Sequence, residues 1–300
     1  MTTFDTAKIS SIDRIKGRIG LSMRNGLESV GTYPYDIATL REGMSVLIGK
    51  VDNSHVILNQ VENVPRVGTS YSVRRPYTMG PAEWHLEDST VYYTDIIGGG
   101  LGRVAVMTGG GNGANVGELD GRNDDGFMEY NMGFSFSLFN QVYTTCFLNN
   151  NGNVSFVEGI SAYIPEGPTG AYSPIISIFF SDVDTRQFGG VMWIRDDIPN
   201  QLIVTWDNVD RYYRRGDLFN SFQLVFRGPN YSVPRNEGVI GFFYKSMTWE
   251  TCDTSTTAAA GFGDGDTKAI VLNGSNEAGL VNIVNHKKVW FTQRFINLYL

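Results

Sequence analysis

Cysteine is nearly missing from this chain: there are two, Cys146 and Cys252, among 300 residues. A disulfide scaffold is therefore excluded as the main source of stability. One long-range bridge between them stays open, but two buried free thiols are the better reading. Charge is also scarce, at 18% of residues, below the roughly one quarter of an ordinary globular chain. The balance is acidic, with a net charge of -7 and a pI near 5.0. Such a chain repels phosphate backbones, which argues against nucleic acid as a main partner. The basic clusters, Arg74-Arg75, Arg211 with Arg214-Arg215, and Lys287-Lys288, read as solvated faces.

Other absences narrow the class further. No apolar run approaches the length of a membrane span; the longest, Pro174 to Phe180, fits a buried strand. The opening residues hold no apolar segment of the signal-peptide kind. The expectation is a chain made in the cytosol that stays there or leaves by another route. The three histidines, His55, His85 and His286, have no second His or Cys at metal-ligand spacing, so zinc is not expected. No Gly-x-Ser-x-Gly elbow presents a nucleophile. Cys146, between Thr145 and Phe147, has a core setting rather than that of an activated thiol.

What is present points to β structure. Glycine is high at 35 residues and aromatics make up 13%, a composition suited to short strands and tight turns. Short helices are expected near Thr6 to Lys16 and Ile37 to Glu42. Met44 to Val51 and His55 to Gln60 form a hairpin pattern around Asp52-Asn53-Ser54. Residues 1–97 are thus expected to be a small, barrel-like N-terminal β domain used for docking or assembly. Two glycine clusters mark 98–117 as a junction. A phosphate loop fails there, because no Lys-Ser/Thr follows the glycines.

Beyond the junction, Gly133 to Phe139 alternates strictly, placing Phe134, Phe136 and Leu138 on one face. Asn149 to Asn153 reads as a hairpin tip. Strands are expected at 142–148, 175–180, 191–194, 202–206, 222–226, 239–244 and 269–272. The predicted architecture for 118–285 is an all-β sandwich. The tail 286–300 is apolar to its last residue and is expected to close a sheet, within the chain or against a partner.

The order of motifs over 123–264 resembles the nidogen-type extracellular (NIDO) domain. Asn123-Asp124-Asp125-Gly126 with Met132 to Phe136 is similar to the family's first strand, and Asn149 to Phe156 to its Asn-rich hairpin. Ile175 to Phe180 followed by Ser181-Asp182-Val183-Asp184-Thr185-Arg186 resembles its strand ending in Asp-Val-Asp-Thr. Val204 to Val209, Asn220 to Phe226, Trp249-Glu250-Thr251 and Gly261-Phe262-Gly263 complete the match. Cys252 departs from the pattern, where a small residue would be expected, and so does the absence of a signal segment. The resemblance implies adhesion and assembly, with no catalytic role to transfer, and leaves residues 1–117 unexplained.

Candidate sites follow from the residues themselves. Asp182 and Asp184, two apart on a strand, share a face and could hold a calcium ion, serve as a glycosidase pair, or simply cap a turn. Asp120, Asp124, Asp125 and the pair Asp264, Asp266 could supply oxygen ligands, though none has EF-hand spacing. Tyr212, Tyr213 and Tyr231 are candidate stacking residues for a sugar or a protein interface, and Trp249 reads as core. Arg215-Gly216-Asp217 spells an integrin-type tripeptide whose plainer reading is a polar turn. No cofactor is expected beyond calcium at Asp182 and Asp184.

The expected function is non-enzymatic. The main reading is a homo-oligomeric virion component of a bacteriophage tail tip, baseplate or short fibre. It would dock through its N-terminal domain on other tail proteins and face a host receptor or glycan. The alternative is a secreted or cell-surface adhesion module binding glycan or matrix protein. A carbohydrate-active enzyme using Asp182 and Asp184 is the third.

Overall fold

A computed structural model describes residues 4–13, 18–23, 28–32, 45–51, 54–60, 77–79, 84–110, 121–251, 257–266 and 268–297. The chain divides into two compact units, Met1–Arg75 and Pro76–Leu300.

The first unit is one antiparallel sheet. Its strands are β1 (Phe4–Asp13), β2 (Arg18–Met23), β3 (Glu28–Thr32), β4 (Ser45–Val51) and β5 (Ser54–Gln60). Their order is β3-β2-β1-β4-β5. The hairpin expected around residue 53 is β4–β5, with Val51 opposite Ser54. The helix expected from Thr6 is instead strand β1. Ala7 pairs with both Met23 and Val46 there, so pairing on two sides overrides a weak helical preference. The helix expected near Ile37 lies outside the described residues. No barrel is shown: the order is an open path, and no pairing among the described residues joins β3 to β5.

The second unit holds two sheets. The first runs β6 (Tyr77–Met79), β19 (Ala269–Leu272), β18 (Ala259–Gly263), β12 (Ile175–Phe180), β11 (Asn153–Ser155), β10 (Gln141–Asn149), β9 (Phe127–Leu138). The second runs β7 (Glu87–Asp88), β20 (Lys287–Phe291), β17 (Ile240–Ser246), β16 (Asn220–Arg227), β15 (Gln201–Arg211), β14 (Met192–Arg195), β8 (Arg103–Val104). An eighth strand, β13 (Val183–Gly189), also pairs with β15. Apart from the parallel β6–β19 pair, the ladders of both sheets are antiparallel.

The sheets stack face to face over a shared apolar core. Phe136 of β9 meets Phe226 of β16, Phe179 of β12 meets Phe222, and Phe262 of β18 meets Phe291 of β20. Two polar links cross the gap: Tyr244 donates to the Ile178 carbonyl at 2.8 Å and Trp206 Nε1 to the Asn150 carbonyl at 2.9 Å. The alternation expected of β9 is realised, because Phe136 and Leu138 are buried in this core and Phe134 packs against it.

Strand β12 is buried on both faces, which its continuous apolar sequence requires. Its parity changes along its length. Ile176 and Ile178 face the shared core, and so does Phe179. Ile175 and Phe180 face a second cluster with Ile160 and Ala259. The switch follows from a bulge: Ser177 pairs with Gly261 but Phe180 with Ala259, so β12 carries one extra residue.

The outer face of β16 is buried as well, under a segment far away in sequence. Helix α1 (Tyr93–Ile97) lays Tyr93 on Ile203, Val225 and Phe243 beside Trp290. Trp84, at 1% exposure, joins the core against Phe242 and Phe291. Residues 84–97 therefore belong to the second unit, although the sequence reading placed them in an N-terminal domain ending at 97. The glycine stretch from 98 is likewise inside this unit rather than between units. The Arg195 guanidinium binds the Gly98 carbonyl there, and the Gly100 carbonyl at 3.2 Å. The apolar tail does close a sheet within the chain, as β20 against β17, followed by the short helix Gln293–Asn297.

Candidate functional site

Three turns meet at one end of the sandwich: the loop 121–126, the β10–β11 hairpin tip, and the segment leading from β12 into β13. The Asn-rich tip looks like a solvated turn in sequence, yet Asn149, Asn150, Asn151 and Asn153 are all buried. Asn151 ties the three turns together. Its Nδ2 donates to Asp125 Oδ1 at 2.7 Å and to the Ala162 carbonyl at 2.9 Å. Its Oδ1 accepts the Val183 amide at 2.9 Å, and its carbonyl accepts the Ser181 amide at 3.2 Å. Gly152 is obligatory beside it. Its φ is +78°, and a Cβ there would lie 1.9 Å from the Phe179 carbonyl oxygen.

The Asp-Val-Asp-Thr sequence docks on the loop 121–126. Thr185 Oγ1 accepts the Asn123 amide at 2.9 Å and donates to the Asn123 carbonyl at 3.0 Å. Asp124 and Asp184 form a β-bridge. Asp184 Oδ1 accepts Arg186 Nε at 2.9 Å and the Arg186 amide at 3.0 Å, while Oδ2 takes an η-nitrogen at 2.6 Å. The same guanidinium reaches Asp124 Oδ2 at 2.8 Å. Arg186 is thus clamped between two buried carboxylates, a role its type and spacing from Asp184 permit but that the sequence reading did not assign.

The two candidate metal residues therefore part company. Asp184 is occupied by Arg186. Asp182 lies instead with Asp124 and Asp125, each offering a carboxylate oxygen within 4.8 Å of the other two. Burial pushes the Asp124 carboxyl up to about 7; Asp184 and Asp125 push the same way, and Arg186 and Arg214 oppose them. Asp125 is raised by burial too, offset by its bond from Asn151. Asp120 lies outside the described residues. Asp264 accepts the Asp266 and Lys268 amides at 2.9 Å each, which makes it a turn former.

The three candidate stacking residues fall at two places. Tyr212 lies beside the carboxylates, with Arg186 5.8 Å from its ring centroid. Tyr213 follows it at 58% exposure and carries Arg214 over its ring. Phe188, 43% exposed, packs against Gly216 of the same 212–219 loop, extending this aromatic surface. Tyr231 sits at the other end of β16, 4.4 Å above the buried Arg227 guanidinium. Arg227 is held from further sides by Trp290, Gln201, Tyr93 and Glu237, so Tyr231 completes a structural stack. Trp249 is core: its Nε1 donates to the Val209 carbonyl and its ring meets Phe179 edge-on. In the Arg215-Gly216-Asp217 tripeptide, Asp217 pairs with Arg211 at 2.8 Å and the Gly216 amide is bound by Asp210. Both ties hold that turn inward.

Residues 107–293 match the family model described as NIDO related. The chain belongs to the NIDO-related family. The match takes in the docked loop, the Asn-rich tip, the Asp-Val-Asp-Thr segment and both faces of the sandwich, and it reaches well past the span on which the sequence resemblance rested. No solved structure matches the chain.

Proposed function

We propose that this chain is a non-enzymatic adhesion or structural module acting at an extracellular surface, where it engages a glycan or matrix protein. The family match over 107–293 carries the reading. The exposed pair Phe188 and Tyr213 is the natural contact surface, since rigid aromatics stack on sugar rings and anchor interfaces at little entropic cost. A glycosidase role for Asp182 and Asp184 finds no support. Their exposures are 2% and 0%, and Asp184 is bound to Arg186, so a sugar has no access to the pair. Neither the fold nor the family match favours a bacteriophage tail, and that reading is set aside.

Arrays of extracellular glycans and matrix proteins probed with the full chain test the proposal. Retention on at least one class, reduced about tenfold or more by Tyr213→Ala, is the expected outcome. Release of cleaved sugar from any spot would contradict it, as would uniform background on both arrays.

A further inference from the structure

The sequence holds three asparagines in the pattern Asn-x-Ser: Asn153-Val154-Ser155, Asn230-Tyr231-Ser232 and Asn273-Gly274-Ser275. In that pattern, with x other than proline, asparagine accepts an N-linked glycan. A glycan is bulky and hydrophilic, so its acceptor must open onto solvent. Asn153 does not. It is 0% exposed, its Oδ1 accepts Asn149 Nδ2 at 2.7 Å, and its own Nδ2 donates to the Asn151 carbonyl at 3.3 Å.

Asn230 does. It is exposed in the loop between β16 and β17, where the Tyr231 amide binds the Gly228 carbonyl at 3.1 Å. Pro229 and Asn230 are thus the two central residues of a β-turn, the positions furthest out from the strands. Ser232 is exposed as well, so the acceptor amide and the hydroxyl two residues on are both open to solvent. Tyr231 between them is half-buried, with its ring on the Arg227 guanidinium. Asn273 is also exposed in a turn, closed by the Ser275 amide on the Leu272 carbonyl at 2.8 Å. There the serine is committed to the fold. Ser275 Oγ accepts the Ala260 amide at 3.0 Å and donates to the Pro168 carbonyl at 3.3 Å.

We propose that Asn230 is an acceptor site for an N-linked glycan. Its Nδ2 bonds to C1 of the first sugar of a lipid-pyrophosphate-linked oligosaccharide. The bond from C1 to the pyrophosphate oxygen breaks, the lipid pyrophosphate leaves with that electron pair, and the displaced amide proton passes to a base of the transferase. The Ser232 hydroxyl is the group by which the transferase recognises the triplet. Asn230 lies beyond the end of β16, and the 212–219 loop precedes its start. The eight residues of that strand span roughly 25 Å, so the glycan stands clear of Phe188 and Tyr213. The inference rests on the extracellular reading above, because transfer takes place in a secretory compartment.

The test is the full chain, produced behind a cleavable secretory leader in a eukaryotic culture. It is treated with a glycosidase that leaves aspartate at each linked asparagine, and its peptides are weighed. Asn230 should read as Asp in most molecules. Ser232→Ala should abolish that conversion, while Asn273→Gln leaves it unchanged; both positions are exposed, so neither variant is expected to disturb folding. Asn230 intact in the secreted, unmutated chain overturns the proposal. Conversion that survives Ser232→Ala overturns it too, as ordinary deamidation. The glycan and matrix arrays separate this site from the adhesion reading. Retention of a chain unmodified at Asn230 sinks the site alone, and a modified chain that no surface retains sinks the adhesion reading alone.

Discussion

Arg186 is the residue on which the buried polar end of the sandwich depends. Its side chain is 5% exposed and serves two carboxylates that are buried with it. Removing one member of such a group leaves uncompensated charge in a poor solvent for it, at a cost of about 3–5 kcal/mol. Arg186→Met should therefore lower stability in urea by about that amount. Asp184→Asn, which keeps the shape and an oxygen for the Arg186 amide, should cost less. The pairing with Asp184 was accessible to sequence reasoning, since residues two apart on a strand share a face. The contribution of Asp124 was not, because a bridge between distant segments creates it. Cys146 was legible from its apolar strand neighbours. It is a buried free thiol whose pKa burial drives well above the ordinary value. Alkylation of the native chain followed by peptide mapping should find Cys146 unmodified until denaturant is added. Cys252 lies outside the described residues. Gly152 makes the sharpest steric claim, and Gly152→Ala should lose more than about 2 kcal/mol by the same denaturation measurement.

At the scale of elements, strands with strict alternation or one continuous apolar run were legible, β9 and β12 among them. The bulge in β12 was not, because it depends on where Gly261 and Ala259 of the partner strand fall. Strand β20 was expected from its apolar tail, and its energetic weight lies in Phe291. That ring is 3% exposed and meets Trp84, Phe242 and Phe262. Phe291→Ala should cost about 3–5 kcal/mol, the range for deleting a core aromatic, read as a shift in the midpoint of chemical unfolding. Residues 84–97 were misplaced for a physical reason. Their partners, Val225, Phe243 and Trp290, are remote in sequence, and a five-residue helix has too few turns to show a period.

At the scale of the whole molecule, the break falls between Arg75 and Pro76 and not in the glycine-rich stretch. Glycine marks backbone freedom, which a tight internal loop needs as much as a linker does. A fragment covering 76–300 should stay soluble and unfold cooperatively. A fragment starting at 118 loses Trp84, Tyr92 and Tyr93 and uncovers the apolar outer face of β15 to β17, so it should aggregate. Equal solubility of the two would move the boundary back to the glycines.

The proposed role is binding without turnover by a NIDO-related module. Surface plasmon resonance of the full chain over immobilised glycans and matrix proteins separates the two outcomes, because one trace reports both association and loss of the surface. Saturable, reversible binding to one of them, with an unchanged baseline after many cycles, is predicted. A baseline that falls with exposure time would reveal cleavage and contradict the claim, and so would failure to bind any surface of either class.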